Sequence, residues 1–195
     1  MKKTIFVRGP VLSQSGYGEQ ARFALRALKS REDIFEIFIQ PLPWGQTGWV
    51  WDQNDFRSWV DSRIRVTQLL ISEKKLQPEI CLQIGIPNEW SKICPINIGY
   101  TAGIETNKVA PIWLQKGNEM DKILVVSSHA KTTFENTKAQ ATNNQTGETI
   151  PYALNTPIDV VFERTPEYNA QDIEELELDY DFNFLCVSQM GPRKN

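Results

Sequence analysis

The sequence predicts an α/β protein built on a Rossmann-like, doubly wound parallel sheet. Three observations predict it. Short β-rich runs alternate with stretches whose apolar residues recur at helical spacing. Two of the runs, residues 79–86 and 96–101, read as strands buried within a sheet. A glycine-containing loop follows the first run, and open α/β sheets bind ligands at that carboxyl edge.

Residues 4–7 are a short β-rich run, the first strand. A loop from Gly9 to Tyr17 follows, and then Ala21, Ala24, Leu25 and Leu28 repeat at helical spacing, which predicts a helix over 18–30. Residues 34–39 form the next strand, closed by Pro41 and Pro43. A loop carrying Trp44, Trp49 and Trp51 leads into the longest helix, over 55–75, with Phe56, Trp59, Val60 and Ile64 on one face. Pro111 suits the first turn of a helix reaching about residue 118. Residues 123–126 are a further strand, and Ser127 and Ser128 cap a helix over 129–138. The polar stretch 139–149 reads as a loop, and 182–188 as a last strand. The expected organisation is a sheet domain over 1–160, an acidic linker over 161–181 and the start of a second domain over 182–195.

The 195 residues suffice for one α/β domain with some chain to spare. A net charge of −3 builds no basic surface, so nucleic acid is not expected as a partner. Arg8 and Gly9 interrupt the amino-terminal apolar run well short of a signal peptide, and no 18-residue apolar stretch exists to span a bilayer. Cys81, Cys94 and Cys186 are odd in number and widely spaced, which fits reduced thiols in a cytoplasmic protein. His129 is the only histidine, with no cysteine nearby, so no metal site is expected.

Gly16-Tyr17-Gly18-Glu19-Gln20-Ala21 matches the letters of a dinucleotide fingerprint. The spacing argues against that use. About eight residues separate the strand from Gly16, Gln40 stands where an acidic ribose partner belongs, and Glu19 would repel a phosphate at that helix end. The glycines serve equally to let a ligand approach the backbone, or to satisfy a loop's own geometry. The three tryptophans of residues 44–51 offer indole faces to the C–H faces of sugar rings. They could instead pack under their own loop, or touch a membrane surface beside the basic residues of the following helix. Glu105 follows a strand and a small-residue turn, which places a carboxylate at the sheet's carboxyl edge. It could also be an acid serving a helix dipole.

Four passages, in order, resemble the retaining glycosyltransferases of family 4, which have the GT-B fold. They are Ser15-Gly16-Tyr17-Gly18 with Gln20 and Arg22; Trp113-Leu114 through Asp121-Lys122-Ile123 to Ser127-Ser128-His129-Ala130-Lys131; Asn155-Thr156-Pro157-Ile158-Asp159 with Phe162; and Phe184-Leu185-Cys186-Val187-Ser188-Gln189 through Pro192-Arg193-Lys194-Asn195. The resemblance implies that the parent enzyme moves a sugar from a nucleotide diphosphate sugar to an acceptor, with retention at the anomeric carbon. It implies that the first domain holds the acceptor, with Gly16, Tyr17 and Gly18 in its glycine loop, and that Lys194, with Arg193 beside it, meets the donor phosphates. Trp49, by its indole, and Thr101 join the acceptor candidates, and Glu105, by its place at the sheet edge, is the catalytic candidate. Gln189 stands where the family has a basic residue, the paired glutamates of the donor site are absent, and no histidine follows residues 98–101. Little sugar transfer is therefore expected from these 195 residues by themselves. A dinucleotide-binding oxidoreductase and a non-catalytic sugar- or partner-binding module are the alternatives. The strand at 182–188, left without a second sheet, is expected to dock on the first domain's edge or pair with another copy of the chain.

Overall fold

The computed structural model describes residues 2–142, 147–163, 178 and 180–185. By its contacts the chain divides into two compact units, residues 1–164 and 165–195. In the first, six parallel strands form one sheet: β1 (Lys3–Gly9), β2 (Phe35–Pro41), β3 (Ile80–Ile84), β4 (Ile96–Thr101), β5 (Lys122–Val125) and β8 (Ile158–Val160). Two further strands, β6 (Lys138–Thr142) and β7 (Thr149–Ala153), pair antiparallel in a separate hairpin. The helices are α1 (Gly16–Lys29), α2 (Asp55–Ser72), α3 (Pro111–Gly117) and α4 (Ser128–Asn136).

The sheet order is β2-β1-β3-β4-β5-β8. The chain leaves β1 toward one side and returns to its other side, so strand order reverses at β1, the position at which doubly wound sheets bind ligands. Alternation along each strand divides the side chains between two cores. Ile5, Val7, Ile37, Ile39, Leu82, Ile84 and Tyr100 meet Ala21, Ala24 and Leu25 of α1. On the other face Ile123, Val125 and Ile158 meet Leu114, Ala130 and Phe134 of α3 and α4. Phe6, Phe38 and Cys81 form a smaller cluster with Leu70, Leu76 and Cys94. Burial pushes the Cys81 thiol up to about 12, which leaves it protonated and inert at neutral pH.

Edge strand β2 is guarded by α2. Thr67, itself buried, accepts a hydrogen bond from the Ile39 N–H at 2.8 Å and donates to the Arg63 carbonyl at 2.7 Å. Thr67→Val keeps the shape but strands a buried N–H, so it should lower stability by about 1–3 kcal/mol. A urea midpoint equal to wild type would show that this bond is dispensable.

Helix starts follow the expected capping chemistry. Ser15, Asn54 and Ser127 each accept a backbone N–H of the first turn. Two expectations fail. Residues 139–149 are not a loop throughout, because β6 and β7 pair Ala139 with Tyr152 and Ala141 with Ile150. β6 alternates small and polar residues, and only Ala139 and Tyr152 touch the core, so no apolar run announces it. The strand expected at 182–188 is absent over residues 182–185. There the Phe182 and Phe184 rings meet edge to face at 5.0 Å, and the Asn183 amide donates to the Tyr180 carbonyl. Local contacts thus stand where a ladder would be. Residues 186–188 lie outside the described ones.

Candidate functional site at the carboxyl edge of the sheet

After β1 the chain folds into a tight loop before α1, and a buried cation holds it. Arg22 donates to the Val11 carbonyl at 2.9 Å and the Ser13 carbonyl at 2.8 Å, and pairs with Glu19 at 2.6 Å. Gly18 lies directly against this loop, where a Cβ would sit 2.1 Å from the Ser13 carbonyl oxygen. Glycine is required there by packing. Gly16 is exposed on the first turn of α1, and a Cβ would meet nothing within 4 Å, so it leaves the helix start open to an approaching group.

Tyr17 joins this loop to β4. Its hydroxyl donates to the Ala102 carbonyl at 2.8 Å, accepts from the Ala102 N–H at 3.2 Å and lies 2.9 Å from the Thr101 hydroxyl. Burial raises its pKa, and the hydrogen bonds with Thr101 and Ala102 partly offset that; the Glu89 and Glu163 charges raise it further. Thr101 is fully buried, so it supports Tyr17 from beneath rather than facing a ligand. Gln20 is buried beside Tyr100 and lowers that hydroxyl's pKa, although burial dominates and raises it overall. The Gln20 amide makes no hydrogen bond of good geometry to a described residue.

The tryptophan loop lies against the glycine loop. The Gln14 N–H donates to the Gly48 carbonyl at 2.8 Å and the Val50 N–H to the Leu12 carbonyl at 2.9 Å, with a bridge between Ser13 and Trp49. The hydroxyls of Ser13 and Thr47 meet at 2.6 Å, and Arg57 holds the Val50 carbonyl. Trp44 packs inward, its ring 4.5 Å from that of Tyr17. Trp49 and Trp51 face outward, 57% and 82% exposed. Of the three uses weighed for these indoles, packing under the loop holds for Trp44 alone. Trp44, Trp49, Pro41 and Pro43 line a cavity of about 180 Å³ with Ser13 and Thr47. Pockets for drug-sized ligands run to roughly 300–1,000 Å³, so this one suits a single small ring.

Glu105 is exposed in the loop after β4, on the same carboxyl edge. No helix begins at it, since α3 starts at Pro111 with Ala110 as its cap, so the dipole role is not realised. The Nε2 of His129 lies 3.1 Å from the Thr106 carbonyl, a contact between that loop and α4. Arg193 and Lys194 lie outside the described residues. Among the described residues no three His, Cys, Asp or Glu side chains come together as a metal site, and no helix is long and apolar enough to cross a membrane.

Gly16, Tyr17, Thr101 and Trp49 thus gather around one edge, Tyr17 and Thr101 by direct contact. Sequence reasoning missed Ser13 and Thr47, whose pairing spans 34 residues and leaves no local signal. It also missed Arg22 as the clamp on the loop. The class these features define is an open, parallel α/β sheet protein with an aromatic, hydroxyl-bearing recess at its carboxyl edge. No family model matches the chain, and no curated protein or solved structure is detectably similar to it.

Proposed function

We propose that this chain is the acceptor-side domain of a retaining, nucleotide-sugar-dependent glycosyltransferase. The observation that carries the reading is the recess beside the glycine loop, walled by two indoles and two prolines and bearing two hydroxyls. An apolar wall with a few placed polar groups suits a sugar ring, whose C–H faces stack on indole while its hydroxyls need partners. In this reading Trp49 is the stacking platform, Gly16 leaves room at the helix start, and Tyr17 with Thr101 holds the site's two halves in register. Glu105 orients the acceptor hydroxyl, and Arg193 and Lys194 bind the donor diphosphate. Such a transfer relies on positioning the acceptor and on stabilising the departing diphosphate.

The dinucleotide alternative is weakened by two contacts. Gln40, at the end of β2, is held by Arg8 Nε at 2.7 Å, where a ribose-binding carboxylate belongs. Gly18 is filled by its own loop rather than open to a pyrophosphate.

Titration of the chain with neutral mono- and disaccharides, followed by indole fluorescence, is the test. Saturable binding is expected, and Trp49→Ala should weaken it roughly tenfold, in line with one lost aromatic contact of about 1.4 kcal/mol. Micromolar binding of a nicotinamide dinucleotide, or no response to any saccharide, would defeat the reading.

A further inference from the structure

We propose a second ligand site, for an oxyanion group, on the sheet face opposite α1, centred on Arg8. It does not depend on the sugar reading. Alternation along β1 turns Ile5 and Val7 toward α1, and Phe6 and Arg8 to the other face. The register places Phe6 beside Phe38 and Cys81, and Arg8 beside Gln40 and Gln83. Two cross-strand rungs therefore lie one above the other. The lower is apolar and buried; the upper, Gln40–Arg8–Gln83, is polar and stands at the carboxyl ends of β2, β1 and β3. That is where strand order reverses, the ligand position of doubly wound sheets.

The upper rung holds a guanidinium in place without neutralising it. Arg8 Nε donates to Gln40 Oε1 at 2.7 Å, and one Nη1 hydrogen makes a longer contact of 3.5 Å to Gln83 Oε1. Gln83 is 3% exposed, and its amide is fixed by donating to the Ser91 carbonyl at 2.7 Å and accepting the Ser91 N–H at 3.1 Å. Its oxygen is thus engaged first by Ser91, and the contact from Arg8 is the longer of its two. No described residue accepts from Nη2, so the end of the fork, one hydrogen each from Nη1 and Nη2, is available.

Among the described residues Arg8, like Arg26 and Arg65, forms no ion pair, whereas Arg22, Arg31, Arg57 and Arg63 each do. A half-buried cation costs desolvation energy unless a counter-charge repays it. A glutamate at position 40 or 83 would have supplied that charge. Glutamine there aims the fork and leaves the charge for an incoming group. A planar or tetrahedral oxyanion, carboxylate or phosphoryl, is the chemistry that accepts two parallel N–H bonds from a guanidinium.

The test is calorimetry on the full chain with inorganic phosphate and, separately, acetate. At least one should bind; the tighter of the two assigns the group as phosphoryl or carboxylate. Arg8→Gln should lower that affinity tenfold or more. Gln40→Glu, which gives the guanidinium an internal partner and so remains folded even if Arg8→Gln does not, should lower it similarly at a melting temperature no lower than wild type. Trp49→Ala should leave anion affinity as it is while weakening saccharides, so the two sites fail or succeed separately. Absence of binding by both anions, or wild-type affinity in Gln40→Glu, would overturn the proposal.

Discussion

Gly18→Ala is expected to destabilise the chain by about 3 kcal/mol or more, lowering the melting temperature by roughly 6–12 °C. The added Cβ would stand 2.1 Å from the Ser13 oxygen, 3.0 Å from the Ser13 carbonyl carbon and 3.1 Å from the Pro10 oxygen. All three are backbone atoms, and Arg22 also holds the Ser13 oxygen, so no side chain can swing aside. Either the loop between β1 and α1 moves or the helix start does. Gly16→Ala, two residues away, meets open space and should change stability by less than about 0.5 kcal/mol. Differential scanning calorimetry on the pair separates a packing requirement from a general dislike of side chains in this turn. A Gly18→Ala melting temperature equal to wild type would mean that the loop is far softer than its contacts imply.

The second large effect is expected at Arg22. Arg22→Met keeps an unbranched apolar stem and removes two charge-assisted hydrogen bonds, to the Val11 and Ser13 carbonyls. Stranding those carbonyls should cost about 3 kcal/mol or more. The ion pair itself contributes little, because the Glu19 side chain is 67% exposed and screened by solvent. Glu19→Gln should therefore be close to neutral. If the loop anchors the tryptophan segment through the Gln14 and Val50 hydrogen bonds, Arg22→Met should also weaken saccharide binding without touching the recess. Urea unfolding followed by indole fluorescence reads both effects. Equal losses in the arginine and glutamate variants would show that the charge pair, not the carbonyl clamp, holds the loop.

Much of the sheet was legible because buried parallel strands declare themselves as apolar runs. Residues 96–101 were placed to the residue, and the strand at 34–39 was displaced by one or two positions at its ends. Elements stabilised by few apolar contacts were not legible. β8 has three residues and is recognisable only because Ile158 pairs with Ile123 across the sheet. The hairpin of β6 and β7 rests on pairing with a stretch, β6, in which the only alternation, Ala139 and Ala141 among polar residues, is too weakly apolar to announce a strand. The site divides in the same way. Gly16, Tyr17, Gly18 and Glu105 could be placed at one edge from strand ends and loop lengths, with Thr101 and Trp49 offered beside them as acceptor contacts. What each does there could not, because Thr101 proves to be buried and Trp49 exposed only once distant segments fold together. The Arg8 rung was invisible for a related reason. Its three members lie on separate strands, and only the register aligns them.

The strand order also sets a timetable for synthesis. After β2 and β3 have flanked β1, each later strand adds to the outside of its predecessor: β4 on β3, β5 on β4, β8 on β5. A chain emerging from the ribosome can therefore extend its sheet in the order it is made. Every addition covers the hydrogen-bonding edge left by the one before. Among the strands added after β3, the longest wait falls between Val125 and Ile158, on the order of 2–7 s at roughly 5–20 residues per second. During it the β5 edge stands bare. The hairpin and α4 are translated within that interval, and α4 carries Ala130 and Phe134 onto Ile123 and Val125 before β8 arrives. In this outward growth the sheet is thus most open to a chaperone, or to mispairing with a neighbour, while β8 is still inside the exit tunnel.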